Sequence, residues 1–157
     1  MTEEGTFLVW DTVSMAWTEI GLEPDDYLVI AQKLKNEGAT WPEVQSIALR
    51  DVCGSFAVDS FLIVPCMLWM IMPDWGYNEE YLRNRINQWV KRPLWMHFLN
   101  PIRLLGYPVA LLFSVGVRFR LKRAFDSSLA QKLKLFDPVL HGGEAMADKP
   151  IGTEIIK

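Results

Sequence analysis

The residues of this chain that could do chemistry are few: two cysteines, two histidines, some paired carboxylates and one acid set alone in apolar sequence. A thiol nucleophile or a disulfide would have to come from Cys53 and Cys66. They lie thirteen residues apart, so one straight helix would hold them ~20 Å apart, beyond the reach of a bridge. Both sit on apolar ground with nothing nearby to favour a thiolate, and they read as free buried thiols in a reducing compartment. His97 and His141 are far apart, with no cysteine or carboxylate at ligand spacing, so no zinc pattern exists. There is no G-x-S-x-G serine elbow and no glycine-rich phosphate loop; Gly142-Gly143 is too short to be one. Asp25-Asp26 and Glu79-Glu80 are carboxylate pairs that would suit general acid–base work. Each pair falls at a helix start, where the positive end of the helix dipole already favours carboxylates. No catalytic, metal or cofactor site is expected, and the chain is not read as an enzyme.

The isolated acid is Asp59. It is the one charge in VCGSFAVDSFLIVPCMLWMIM, residues 52–72, which also holds Pro65. A run of this length is a candidate membrane span. Three features favour a buried core helix instead. Thr40-Trp41-Pro42-Glu43 is a capping box, which begins the helix in polar sequence well before the run. Asp51, Ser55 and Asp59 recur every fourth residue and give it a polar edge. Pro65 removes a backbone hydrogen bond and kinks or ends it. In a soluble core Asp59 is a buried acid and needs a basic partner from the second half, Arg103 or Arg118.

Other elements carry their own punctuation. In residues 6–20, Val9, Trp10, Val13, Trp17 and Ile20 share a helical face that Gly21 closes. Pro24, Asp25 and Asp26 open a second helix with Tyr27, Ile30, Ala31 and Leu34 inward, ending at Gly38. Asn78, Glu79 and Glu80 open another, with Leu82, Ile86, Trp89 and Val90 inward, stopped by Pro93. Beyond Pro93 the pattern breaks. LWMHFLNPIRLLGYP reads as short pieces, and Pro108 opens a helix. VRFRLKRAF, residues 117–125, alternates apolar and basic residues and fits a strand or a helix end. Ser127 or Ser128 caps a last helix that Asp137-Pro138 ends. Residues 141–157 read as a mobile tail. The predicted fold is all-α: a single bundle of five to seven helices over residues 1–140, with a kinked central apolar helix and residues 141–157 as a flexible tail.

With 157 residues, half of them hydrophobic, a mean hydropathy of +0.10 and seven tryptophans, the chain can build a core without disulfide or metal. At helical spacing the tryptophans read as core. The net charge of −3 conceals a split: residues 1–80 hold fourteen acids against three bases, residues 81–157 five acids against thirteen bases. Attraction between the halves of one domain explains this. The basic run 118–123 has Phe119 interleaved, yet a pI of 5.4 and the apolar run before it argue against nucleic acid. The N-terminus MTEEGTF is acidic where a secretory signal needs positive charge, so a cytoplasmic location is expected.

Over roughly residues 6–90 the chain resembles a family of small bacterial helical proteins with no assigned activity. The resemblance rests on VWDTVSMAW, PDDYLVIAQKL, the segment from Asp51 to Asp59, and DWGYNEEYLRNRI. The family's core helix has Glu, Pro and Asn where Asp51, Gly54 and Asp59 stand here. The resemblance implies a bacterial origin and a helical first half, and supplies no catalytic residues. Small acidic helical proteins of this sort often partner secreted toxins. The function expected is therefore a cytoplasmic protein-binding module, an immunity-type inhibitor that binds and neutralises a bacterial toxin. Asp25, Asp26, Glu79 and Glu80 are its candidate contacts. The alternative is a membrane-associated protein on the cytosolic face of the inner membrane, anchored through residues 55–73 and 104–117. Arg118, Arg120, Lys122 and Arg123 directly follow the second of these runs.

Overall fold

The computed structural model describes residues 1–63, 76–93, 96 and 99–135, with side chains as far as 127. Regular structure among them is entirely helical. Pro65, Cys66, His97, His141, the latter part of the first apolar run (64–72) and the tail fall outside the described residues.

Helix α1 (Glu3–Ser14) is capped by Thr2, whose hydroxyl accepts from the Gly5 amide at 3.0 Å. It stops earlier than its apolar spacing implies, and a single 3₁₀ turn, Met15–Trp17, follows. The Thr18 hydroxyl donates to the carbonyls of Met15 and Ile20. This local bonding competes with helix continuation and leaves Ile20 exposed rather than inward. Helix α2 (Pro24–Asn36) starts with Asp26 reaching back to the Glu23 amide at 3.0 Å. It ends at Gly38, whose φ of 73° only glycine adopts without strain.

The Thr40–Glu43 box is formed as the sequence requires: Glu43 Oε2 accepts from the Thr40 amide at 2.9 Å and its hydroxyl at 2.8 Å. It opens α3 (Trp41–Ser46), which passes without a break through a π-helical stretch, Ile47–Cys53, into α4 (Gly54–Ile63). The wider π turn leaves the Leu49 carbonyl able to accept from the Tyr107 hydroxyl, at 3.1 Å. Among the described residues the central helix is irregular at 47–53; the kink expected at Pro65 lies outside them.

Helix α5 (Glu79–Lys91) is capped by Asn78, which accepts from the Glu80 amide at 2.9 Å. Leu82 and Trp89 face inward as expected, but Val90 is exposed. Helix α6 (Pro101–Leu135) is the main departure: one 35-residue helix takes in the latter part of the broken segment, from Pro101, together with the strand alternative at 117–123 and the start of the separate last helix. Asn100 caps it, accepting from the amides of Ile102 (3.0 Å) and Arg103 (3.3 Å). Pro108 lies inside it on the exposed side. There the carbonyl that loses its donor can bond to water. Gly106 is a packing contact rather than a breaker, since a Cβ there would lie 1.8 Å from the Ala57 carbonyl oxygen. Ser127 caps nothing; its hydroxyl donates back to the Ala124 carbonyl at 3.0 Å.

The core gathers Val9, Trp10, Val13 and Trp17 of the first segment, Leu34, Val44, Val52, Phe56, Leu82 and Leu121. Trp17 stacks on Phe56 at 4.6 Å between ring centres, and its indole N–H donates to Ser60 at 2.7 Å, so this buried polar tip is satisfied. Trp10, Trp17 and Trp89 are core residues, as their spacing implies. Along α6, Gly106, Ala110 and Ser114 form a small-residue seam on the inward face. Gly106 meets Ala57 and Phe61, and Ser114 meets Cys53 at 3.2 Å, so α4 and α6 run antiparallel. Further on, α6 crosses α2, where the Lys35 ammonium lies 4.5 Å from the Phe125 ring centre.

Candidate functional site

Asp59 marks the first feature of interest. Its partner is Arg85, neither Arg103 nor Arg118. Arg85 projects from α5 across α4. It donates to Ser55 Oγ at 2.7 Å, to the Ser55 carbonyl at 2.8 Å, to Asp59 and to the Tyr81 hydroxyl. Its plane lies over Phe56 at 3.9 Å. The Arg85 side chain is 17 % exposed and Asp59 41 %, so Asp59 is a half-exposed acid at the lip of a cleft, not a buried one. The four-residue polar recurrence put it on the polar edge of the central helix, which α5 meets through Trp89 at Asp51 and Arg85 at Ser55 and Asp59. Arg118 turns instead to its own helix, donating to Ser114 at 3.0 Å and to the Leu111 carbonyl at 3.0 Å.

The cleft beside this pair has a volume of about 570 Å³ and lies among α4, α5 and the start of α6. Tyr81, Arg85 and Gln88 of α5 line it, with Arg92 at the extended cap that follows the helix. Arg103 enters from the first turn of α6, over the Trp89 ring at 5.0 Å. Burial pushes the Arg103 guanidinium below the ordinary arginine range, and the neighbouring charges of Arg92 and Arg85 push it the same way, against the pull of Asp59. Nearby, burial pushes Tyr77 far up, with the Asp59 and Tyr81 charges adding to it and Arg85 opposing. Its hydroxyl donates to the Trp17 carbonyl at 3.4 Å. The pairing of Arg85 with Asp59 was not legible in the sequence, because the partners are 26 residues apart and on different helices.

The second feature is the outer face of α6. Its inner face packs on α4 and α2, while Leu105 (63 %), Leu112 (72 %) and Phe119 (65 %) are exposed, with Ile102, Leu104 and Val115 beside them. Leu105, Pro108, Leu112, Val115 and Phe119 follow a three–four spacing along one stripe. The segment Pro101–Ser127 is long and apolar enough to cross a membrane: its most apolar window averages a hydropathy of 1.5, with 17 % of that window buried. Exposed Arg120, Lys122 and Arg123 follow the apolar stretch. α4 behaves differently: Phe56, Ala57 and Ser60 are fully buried, so this face of α4 serves the core, while Leu62 is exposed.

The predicted partner-binding acids are placed apart. Asp25 and Asp26 lie exposed in the first turn of α2, where Asp26 caps and Asp25 lines a second cleft, of about 470 Å³, with Tyr27, Arg120 and Arg123. Glu79 and Glu80 lie exposed in the first turn of α5, where Glu79 accepts from Arg83 at 2.8 Å. Arg83 also meets Glu4 of α1 at 3.1 Å. Acids of the first half and bases of the second thus meet in pairs across the fold.

Cys53 is buried against Ser114, and burial pushes its thiol up, the opposite of what a nucleophile needs. No cluster of three metal-ligating side chains occurs among the described residues. No family model, curated protein or solved structure matches the chain.

Proposed function

We propose that this protein works at a membrane surface, seated there by the outer face of α6. The observation that carries this reading is a long apolar helix whose outward stripe of Leu105, Leu112, Val115 and Phe119 is half or more exposed, with basic residues at its end. A helix apolar on both faces belongs either inside a protein or against lipid. Here one face is taken by α4 and α2, so the helix lies along the bilayer rather than crossing it. Each large side chain moved fully out of water contributes about 1.5–3 kcal/mol. Arg120, Lys122 and Arg123 add attraction to anionic headgroups, at about 1 kcal/mol per charge near the surface.

Flotation with vesicles tests the reading. The full chain is expected to float with phosphatidylglycerol vesicles, and less with phosphatidylcholine. Leu112→Glu with Phe119→Glu is expected to abolish flotation while leaving the melting temperature unchanged. A chain that stays at the bottom of the gradient with both lipids overturns it.

A second reading is the cytoplasmic protein-binding module, of the immunity type that occludes a toxin. It draws on the exposed carboxylates Asp25, Asp26, Glu79 and Glu80. Copurification with a co-encoded neighbour, lost on Asp25→Lys with Glu80→Lys, is the result it requires.

A further inference from the structure

The cleft of about 470 Å³ lies between the first turn of α2 and the stretch of α6 that starts at Arg120. Its walls carry charge of both signs. Arg120 and Arg123 stand on the α6 side against Asp25 on the α2 side, two positive charges to one negative. Arg120 also hydrogen-bonds the Tyr27 hydroxyl, which ties it to the α2 wall. The start of α2 is closed by its own capping box, Glu23 with Asp26, so the donors here are guanidinium groups and not a helix end.

This cleft continues the apolar stripe of α6. Arg123 follows the exposed Phe119 by four residues, one turn further along the same face. Gly116 is exposed and precedes Arg120 by four residues, and a Cβ on it would meet nothing within 4 Å. It leaves a gap in the stripe just ahead of Arg120. Leu28, exposed on α2, lines the cleft from the other side.

We propose that this cleft holds the headgroup of a singly charged glycerophospholipid, with its phosphate between Arg120 and Arg123 and a hydroxylated substituent toward Asp25. Guanidinium groups offer paired N–H donors to phosphate oxygens. One phosphodiester charge balances two arginines set against one carboxylate. The Asp25 carboxylate accepts from hydroxyls and repels a second anionic group. Phosphatidylglycerol has this chemistry. Headgroup capture rests on the membrane seating of α6, and it adds to that seating a choice among lipids of equal charge.

Flotation of the full chain tests it, with phosphatidylcholine vesicles that carry equal mole fractions of phosphatidylglycerol or phosphatidylmethanol. Both are singly charged phosphodiesters, and only the first has headgroup hydroxyls. Recruitment is expected to be about five-fold stronger with phosphatidylglycerol. Asp25→Ala is expected to raise recruitment to both vesicles and to erase the preference. Arg123→Gln is expected to cut recruitment about twenty-fold, against about five-fold or less for Lys122→Gln, which loses the same charge outside the cleft. All three positions are exposed, and melting curves check that the variants fold. Chain-free glycerophosphoglycerol, titrated by calorimetry, is expected to bind too weakly to saturate. Saturable binding of it by a chain that does not float overturns the lipid assignment. A chain that floats with neither vesicle fails the membrane reading and this one together. A chain that floats equally with both, or loses as much with Lys122→Gln as with Arg123→Gln, keeps the membrane reading and overturns the headgroup site alone.

Discussion

Gly106 of α6 lies so close to Ala57 of α4 that a methyl group on it would meet the Ala57 carbonyl oxygen at 1.8 Å. The atom in the way is backbone, which cannot rotate aside as a side chain would. Gly106→Ala is therefore expected to separate the two helices and cost about 3 kcal/mol or more, the upper end of overpacking. Urea denaturation measures it. A midpoint unchanged from wild type would show that α4 and α6 do not pack in this way.

Arg85 and Asp59 should respond unequally to substitution. Arg85 satisfies Ser55, Asp59 and Tyr81 together and covers Phe56, and it is the less exposed partner. Arg85→Ala is expected to cost about 2–4 kcal/mol, because it strips packing as well as charge. Asp59→Asn should cost about 1 kcal/mol or less, since water reaches the carboxylate. Equal losses in chemical denaturation would contradict the geometry.

Asp11 gives the stability a pH dependence with a definite sign. Burial raises its pKa, and the Glu79 charge raises it further. The folded state therefore holds this proton more tightly than the unfolded chain does. Stability falls as pH rises from the ordinary aspartate value, about 3.9, through the raised folded value, and the penalty then persists at neutral pH. Asp11→Asn is expected to raise the melting temperature at pH 7 and to make no difference at about pH 3. Melting curves across that interval decide it; a variant less stable at pH 7 would mean the carboxylate has a favourable partner.

Thr40 closes the start of the central helix through both its amide and its hydroxyl to Glu43. Thr40→Ala should cost about 1 kcal/mol, as loss of a helix cap does. Glu43→Gln should cost less, because the amide oxygen can still accept. Denaturant midpoints of the two variants give the comparison.

What could be read from the sequence was what acts within about four residues. Thr40 with Glu43, Asn78 with Glu80, and Gly38 after α2 mark their helix ends by chemistry that the sequence spells out. The all-α fold followed from such signals and from the inward stripes of Val9, Trp10 and Val13 and of Tyr27, Ala31 and Leu34. α6 escaped this reading because Gly106 and Pro108 are breakers by local rule. Contact with Ala57 gives the glycine a purpose, and the exposed side tolerates the proline. The Arg85–Asp59 pair escaped because long-range pairing leaves no periodic trace. The apolar run 104–117 was noticed, but its outward stripe needed the fold to show which face α4 covers.

The π-helical stretch Ile47–Cys53 behaves like one residue more than an α-helix would use. Each residue of an α-helix turns the chain by about 100°. Loss of one residue there, with the stretch tightening to an α-helix, would keep α3 on its Thr40 cap and rotate all of α4. Asp59 would leave Arg85, Ser60 would leave Trp17, and Ala57 would no longer offer its flat surface to Gly106. The phase of the cleft and the seat of α6 are thus both set upstream, by a local widening that also holds Tyr107 of α6 through the Leu49 carbonyl.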